Sequence, residues 1–193
     1  TDASGQDGFF LAPNHPSVNP YLLAVFKEIL NNYNLDGLHL DYVRYKNQYY
    51  GYNSIGIENF NNHYSFSNNF DSGFIQTVGN KDLDNDYLIK REENLLNSIT
   101  ELVIKLNSVV KNMNREITLS AAVKPNIEMA NKLYYQEWDM WLSGGLIDWV
   151  LVMNYDSNFQ NFVKNITAIK NQMSIIEISK IVMGVALYNQ TPE

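Results

Sequence analysis

The sequence of 193 residues contains no cysteine, which excludes a disulfide framework, thiolate metal sites and thiol catalysis. It contains three histidines, His15, His39 and His63, and their spacing matches no metal-binding motif. Neither GxGxxG nor GxxxxGK followed by Ser or Thr occurs, which counts against a nucleotide-binding enzyme. We therefore expect neither a metal nor another cofactor.

Basic residues are also scarce, because 14 lysines and arginines face 21 acidic residues and give a net charge of −7. This charge would repel nucleic acid or polyphosphate, and the sequence shows no basic patch that would outweigh it. No apolar run reaches about 18 residues, so we expect no membrane-spanning segment. No signal-like amino terminus is visible, although a removed signal would leave no trace. We expect an extracellular or cell-envelope location, and no pattern indicates an oligomeric state.

The most informative stretch is Leu35–Tyr45, LDGLHLDYVRY. Two leucines alternate with His39 and Asp41, so in a strand the leucines share one face and the polar pair shares the other. Helical patterns on both sides predict a parallel strand covered by helices, and the polar pair then points into a barrel or crevice. Arg44 and Tyr45 follow at the carboxyl end, where α/β folds place their active sites. We interpret this stretch as the site.

Strand patterns and helical patterns alternate along the chain, which is typical of a parallel α/β fold. Besides the strand in Leu35–Tyr45, strands are predicted over Gly8–Ala12, Ile117–Lys124, Trp149–Tyr155 and Ile181–Tyr188. Helices are predicted from a cap at Asn19 to Asn34, from Lys90 to Val110 and over Phe162–Met173. A complete (β/α)8 barrel needs eight strands and typically about 250 residues. We expect residues 1–193 to form one partial barrel domain; the alternative is a small open doubly wound sheet.

Four motifs occur in order: FFLAPNHP at Phe9–Pro16, DGLHLDYVRY at Asp36–Tyr45, SAAVKPN at Ser120–Asn126 and LIDWVLVMNYD at Leu146–Asp156. Together they resemble the bacterial glycosyl-hydrolase-like family ten, whose members are predicted (β/α)8-barrel carbohydrate-active enzymes. The resemblance implies that the chain holds about strands three to seven of such a TIM barrel. It also implies a glycoside hydrolase that cleaves O-glycosidic bonds, with a polysaccharide or oligosaccharide as its partner.

Asp41 is the leading catalytic candidate, because an inward carboxylate at a strand's carboxyl end can act as a nucleophile or stabilise an oxocarbenium-like transition state. The alternative is a structural aspartate that pairs with Arg44. Asp36 lies roughly 16 Å away along a strand, beyond the ~5–9.5 Å that separates glycosidase carboxylates. His39 either hydrogen-bonds the carboxylate or a sugar hydroxyl, or is a satisfied histidine of the barrel core.

A second carboxylate is harder to find. The strand also resembles the family-eighteen chitinase pattern, whose acid would fall at Val43, and the family-thirteen amylase pattern, whose acid would fall near Lys124. Asp156 ends MNYD, which is similar to a chitinase motif that holds the substrate, and is our leading acid candidate. Glu128, or an acid outside this sequence, is the next candidate. The missing proton donor motivates a second hypothesis, a non-catalytic carbohydrate-binding barrel.

Eight further residues fall at predicted strand ends and are expected to form one ring of sugar-binding groups. They are Asn14, His15, Arg44, Tyr45, Lys124, Asn126, Asn154 and Tyr155. His39, about two residues deeper in its strand than Asp41, is a ninth substrate-binding candidate. Amide, guanidinium and phenol groups suit hydroxyl recognition, and Tyr155 offers a stacking face. We expect the three tryptophans, Trp138, Trp141 and Trp149, in the core and not as sugar platforms.

The long segment Lys46–Leu88 lacks sustained periodicity apart from a short helix over Ile57–Tyr64. We expect it to be a flap over the carboxyl face, since structureless loops of this length are usually functional or mobile. Its aromatic residues are too many for a solvated linker: Tyr49, Tyr50, Tyr52, Phe60, Tyr64, Phe66, Phe70 and Phe74. Some would pack on the barrel rim and others would stack on sugar. The alternative is that all of them only pin the loop.

Overall fold

The computed structural model describes residues 10–66, 85–113 and 116–186. The helices are α1 (Val18–Asn32), α2 (Ser54–Tyr64), α3 (Asn85–Lys111), α4 (Ile127–Tyr134), α5 (Trp138–Ser143), α6 (Phe159–Gln172) and α7 (Ile175–Ile178). The strands are β1 (Gly37–Leu40), β2 (Thr118–Val123), β3 (Trp149–Met153) and β4 (Ile181–Gly184). Strands and helices alternate from β1 onward, so the predicted parallel α/β fold is confirmed.

The four strands form one parallel sheet in the order β1-β2-β3-β4. Leu40 pairs with Ala121, and Ala121 pairs with Val150 in the next strand. Each connection therefore moves one strand further in the same direction. A doubly wound sheet reverses its direction at a switch point, and the order of the described strands contains no such reversal.

One face of the sheet packs against helices. Its buried side chains are Leu38, Leu40, Leu119, Ala121, Val150 and Val152. Helix α3 contributes a stripe of buried residues at helical spacing to the same core: Leu95, Ile99, Leu102, Val103, Leu106 and Val110. Each fully buried aliphatic side chain contributes about 1.5–3 kcal/mol. This helical layer supports the sheet. Because the strands are parallel, their carboxyl ends lie at the same edge.

The other face carries His39, Ser120, Trp149 and Val182 and is more open. His39 Nδ1 lies 2.9 Å from Ser120 Oγ, across the β1–β2 pair. Trp149 is 42% exposed on this face, which makes our expectation of a core position for it wrong. Its place at the start of β3, on the open face, keeps it out of the helix-covered core. Trp138 and Trp141 are fully buried, as predicted.

The amino-terminal elements differ from the prediction. Within the predicted strand Gly8–Ala12, residues 10–12 are irregular, and the rest lies outside the described residues. Phe10 packs on the rings of Tyr42 and Tyr50 instead of pairing with a strand. Asn19 is not a helix cap, because α1 begins at Val18 and the buried Asn19 amide donates a hydrogen bond to the carbonyl of Ser98.

The described part of the segment that follows β1, residues 41–66, contains a helix. Helix α2 begins at Ser54, where Asn53 caps it, and α3 begins at Asn85 instead of Lys90. Phe60, Phe66 and Tyr87 pack ring against ring and join α2 to α3. Among the described helices, none has the length and apolarity needed to cross a membrane.

Candidate functional site at the carboxyl edge of the sheet

Asp41 follows the last residue of β1 and is exposed. Its Oδ1 accepts a hydrogen bond of 2.7 Å from the backbone N–H of Tyr42. Tyr42 has a φ of 57°, a left-handed conformation that costs a side-chain-bearing residue roughly 1–2 kcal/mol. The described ion pairs lie elsewhere, within helices, so Asp41 and Arg44 do not form the structural pair considered as an alternative.

A cavity of ≈ 710 Å³ runs along β1, and Asp41 lies in its wall together with His39, Arg44 and Tyr45. Residues 10–13, 39–46 and 50–53 contribute most of the lining, and α1 and α3 close the apolar side. This volume falls within the range of small-molecule sites, about 300–1,000 Å³. Asp41 is the single carboxylate among the described lining residues.

Arg44 lies between two tyrosine rings. Its Cζ is 4.1 Å from the ring centroid of Tyr42 and 5.4 Å from that of Tyr134. One Nη1–H donates to the carbonyl of Tyr45 at 3.2 Å, whereas the buried Nε has no hydrogen-bond partner. A guanidinium held between two rings is restricted in position and keeps donors for a planar anion.

Tyr45 and Asn14 support this wall from behind. The Tyr45 hydroxyl donates to Asn14 Oδ1 at 3.2 Å and lies 3.1 Å from Ser98 Oγ. Burial raises the pKa of the Tyr45 phenol well above its ordinary value. Asn14 Nδ2 also donates to the carbonyl of Gly51, and Asn53 donates to Asn14 Oδ1. These contacts fix the chain that follows β1, so the geometry gives both residues a positioning role.

The two predicted histidines occupy different places. His39 is exposed and lies in the wall of the same cavity as Asp41. His15 is half-buried, and its Nδ1 accepts a hydrogen bond from the backbone N–H of Ser17, beside the start of α1. His39 can therefore reach a ligand of this cavity, whereas His15 shapes the entry to the helix.

A second cavity, of ≈ 320 Å³, lies at the ends of β2 and β3. Lys124, Asn126, Asn154, Tyr155 and Asp156 all line it. Most of the predicted site residues therefore fall into two groups, one in each cavity, whereas Asn14 and His15 are in the described lining of neither. They do not form the single ring that the sequence led us to expect. The strand register explains this separation. The site residues that follow β3 lie further along the strand direction than those that follow β1.

Two of the side-chain amides that line the second cavity make hydrogen bonds that hold its walls. Asn154 is 1% exposed, and its Nδ2 donates to the carbonyl of Phe162 while its Oδ1 accepts from Asn165. Asn126 Oδ1 accepts from the N–H of Met129 and caps α4. Both side chains are therefore occupied by the fold.

Tyr155 and Asp156 are the more accessible members of this cavity. Tyr155 is exposed on the open face of the sheet, where the missing side chain of Gly184 leaves room for its ring. Asp156 Oδ1 accepts from the N–H of Asn158 at 2.8 Å, just before α6. An exposed phenol ring beside a carboxylate suits a sugar better than the buried amides do.

A family model described as glycosyl hydrolase-like 10 matches residues 1–191. The chain belongs to this family. The resemblance of the four motifs is thereby confirmed, and the family description supports a glycosidase-like function. Comparison with curated proteins gives no match.

One important residue of this family member was missed by the sequence reasoning. Gln136 is 0% exposed, its Oε1 accepts from the N–H of Lys124 at 2.9 Å, and its Nε2 donates to the carbonyl of Ala122 at 3.1 Å. A longer contact of 3.4 Å reaches the carbonyl of Val43. Gln136 thus holds the carboxyl end of β2 and makes only a weak contact with the chain that follows β1. Only its position in an aromatic run, YYQEW, marks it in the sequence.

Lys124 lies between the two cavities in an electrostatically unfavourable position. Burial lowers the pKa of its amine, and the nearby charge of Arg44 lowers it further. Its Nζ lies 4.8 Å from the ring centroid of Tyr134. In the described part of this glycosyl hydrolase-like protein, no group of three or more His, Asp or Glu side chains is arranged to hold a metal ion.

The segment after β1 contributes aromatic rings of two kinds. Tyr50 is 6% exposed and packs on Phe10, whereas Tyr49 is 46% exposed. The ring of Tyr52 lies 4.0 Å from Cζ of the buried Arg91 and lines the larger cavity. Some of these rings pin the segment, and Tyr49 remains free to contact a ligand. Phe70 and Phe74 lie outside the described residues.

Proposed function

We propose that this protein is a glycoside hydrolase that cleaves O-glycosidic bonds in a polysaccharide or oligosaccharide. The observation that carries the proposal is the position of Asp41: an exposed carboxylate directly after β1, in the wall of a ≈ 710 Å³ cavity beside the rings of Tyr42 and Tyr52. Membership of the glycosyl hydrolase-like 10 family supports the same class of chemistry.

In this proposal the four described strands are consecutive strands of a (β/α)8 barrel. Two features support this: the strand order never reverses, and every strand pair is parallel. The open face would be the barrel interior, where His39, Ser120, Ala122 and Gly184 offer small or polar side chains suited to a crowded space. The protein would act outside the cell or in its envelope.

Asp41 would act on the anomeric carbon as a nucleophile or as the carboxylate that stabilises oxocarbenium charge. Asp156, at the end of β3, would be the general acid. His39, within the same cavity as Asp41, would hydrogen-bond the carboxylate or a sugar hydroxyl. Arg44 and Tyr155 would hold the sugar on either side.

The test of Asp41 is a panel of polysaccharides and aryl glycosides with the full-length protein. We expect Asp41→Asn to lower kcat by about 10²–10⁴-fold, since it removes the charge that stabilises the transition state. Asp36→Asn is the matched control: it makes the same change at the opposite end of β1 and should leave kcat unchanged. Equal cleavage by wild type and Asp41→Asn would remove Asp41 from the mechanism.

The test of Asp156 uses leaving groups of different acidity. If Asp156 is the general acid, Asp156→Asn should lose most activity on natural glycosides and retain much more on aryl glycosides, whose leaving groups need little protonation. The alkaline limb of the pH profile, where a general acid loses its proton, should disappear as well. A uniform loss on both kinds of substrate would assign the proton donor elsewhere.

A second candidate function, non-catalytic carbohydrate binding, is favoured by one observation. Each cavity holds a single carboxylate among its described lining residues. The register places Asp41 level with Leu151, and Asp156 follows five residues later. The two carboxylates are thus not adjacent in the sheet. Calorimetry separates the two functions, because binding of a glycan by wild type without any turnover favours this one.

A further inference from the structure

Cations and aromatic rings alternate along the carboxyl edge between the two cavities. Arg44 lies on Tyr42 and Tyr134, with 4.1 Å and 5.4 Å from its Cζ to the two ring centroids. Lys124 approaches the same Tyr134, with Nζ 4.8 Å from the ring centroid. Two positively charged groups from different strand ends therefore share one phenol ring.

The alternation continues into the larger cavity. Tyr42 stacks on Phe10, with ring centroids 5.9 Å apart and planes inclined by 20°. Lys46 Nζ lies 5.7 Å from the Phe10 centroid. We call this set the cation–ring row: Lys46, Phe10, Tyr42, Arg44, Tyr134 and Lys124. It joins residues of four segments that are far apart in the sequence.

The charges of Arg44 and Lys124 are not neutralised by a described carboxylate. The described ion pairs join lysines to acids four residues away on helices α3 and α4. The buried Arg44 Nε has no hydrogen-bond partner. Two neighbouring cations with no carboxylate partner among the described residues repel each other in the free protein. A bound anion would relieve this repulsion.

We infer that the cation–ring row binds an anionic substituent, a carboxylate or a sulfate, of a glycan, so that the substrate class is an acidic polysaccharide. The inference rests on the proposed carbohydrate function and names its substrate. Arg44 supplies planar donors that match a carboxylate or sulfate, and Lys124 supplies a point charge. Tyr42, about half exposed, offers a ring to the sugar itself. The row also offsets the repulsion between an acidic glycan and Asp41.

The test is equilibrium binding with the full-length Asp41→Asn variant, in which turnover is suppressed. The probes are matched pairs: oligogalacturonate with its methyl ester, and a sulfated glycan with its desulfated form. We expect the charged member of at least one pair to bind about tenfold tighter than its neutral partner, and the difference to shrink as salt is added. The pair that responds identifies the anion as a carboxylate or a sulfate.

Substitutions then assign the anion site to the row. Adding Lys124→Gln should weaken binding of the charged glycan about tenfold and leave the neutral one unchanged, whereas Lys124→Arg should retain binding. Lys132→Gln, on the exposed face of α4, is the matched control and should have no effect. Arg44→Gln should weaken binding of the charged glycan similarly. Arg44 also donates to the Tyr45 carbonyl, so this variant could fail to fold; in that case the Lys124 variants alone test the anion site.

Three results would overturn the inference: no member of any pair binds, neutral and charged partners bind equally, or Lys124→Gln behaves like Lys132→Gln. The result is separable from the fate of the hydrolase proposal. Charge-dependent binding with no cleavage by wild type would refute the hydrolase and leave the anionic site standing. Cleavage of neutral glycans alone, without charge-dependent binding, would support the hydrolase and refute the anionic site.

Discussion

Gln136 offers the sharpest test of how the site edge is held together. Gln136→Met keeps most of the side-chain volume and removes both hydrogen bonds, leaving the N–H of Lys124 and the carbonyl of Ala122 without their partner. Each buried backbone group left unsatisfied costs about 1–3 kcal/mol. The 3.4 Å contact to Val43 is too long to add much. We therefore expect a loss of about 2–6 kcal/mol in the free energy of unfolding.

The companion variant Gln136→Glu adds a signature in pH. The new carboxyl can still accept from the N–H of Lys124, but it can donate to the carbonyl of Ala122 only when protonated. Its pKa in the folded state is then raised above the unfolded value of about 4.3. The variant should be most stable below that value and should lose stability as pH rises, until the folded pKa is passed. Wild type should lack this additional loss.

The assay is urea unfolding followed by circular dichroism, at pH 4 and pH 7. Gln160→Met, at the exposed start of α6, is the control and should change stability by no more than about 0.5 kcal/mol. For a chain of this size, each kcal/mol shifts Tm by roughly 2–4 °C. If Gln136→Met proves as stable as the control, the buried amide does not hold the end of β2.

Three further predictions use the same edge. The Lys124 amine should titrate below an ordinary lysine in NMR of methylated lysines, and Arg44→Gln should move it upward; an unchanged value would remove Arg44 as a cause. Tyr50→Ala should lower the free energy of unfolding by about 3–5 kcal/mol, whereas Tyr49→Ala should lower glycan affinity at unchanged Tm. If Tyr49→Ala instead lowers Tm and leaves affinity unchanged, the segment is not a substrate-side flap. Tyr45→Phe should cost about 1–2 kcal/mol in urea unfolding, and an altered glycan affinity instead would place its hydroxyl on the ligand.

The strand and helix patterns are the part of the fold that the sequence predicts well. Alternation in Leu35–Tyr45 places His39 opposite Leu38 and Leu40, and β1 has this arrangement, with Asp41 directly after its last residue. The reason is physical: a period of two is the geometry of the strand, and burial of one face enforces it. Gly8–Ala12 is a different case, because a short apolar run carries no period that distinguishes a strand from a segment packing by ring contacts.

Residue type and position at a strand end do not reveal what a side chain contacts. Asn154 and Tyr155 are neighbours at the end of β3. The Asn154 amide is hydrogen-bonded to Asn165 and Phe162, whereas the Tyr155 ring is exposed. Partners eight or eleven residues away on α6 decide this difference. The predicted set therefore contains framework residues as well as accessible ones.

Charge is the clearest example of information that only the fold assembles. Lys46, Arg44 and Lys124 form no basic run in a sequence of net charge −7. Arg44 and Lys124 meet at the ring of Tyr134 because β1 and β2 are parallel neighbours whose carboxyl ends lie side by side, and Lys46 contacts the ring of Phe10 nearby. Composition argues against a large basic surface, and it cannot predict a small cluster of cations that the fold assembles.

The link between α4 and α5 contacts residues of both cavities. Tyr134 accepts the N–H of Tyr45 on its carbonyl, and its ring contacts both Arg44 and Lys124. Two residues later, Gln136 holds the carboxyl end of β2 through its hydrogen bonds with Lys124 and Ala122. This link therefore supports both the chain that follows β1 and the end of β2. Because this support consists of buried hydrogen bonds and not of exposed ion pairs, it should persist at salt concentrations that weaken anion binding.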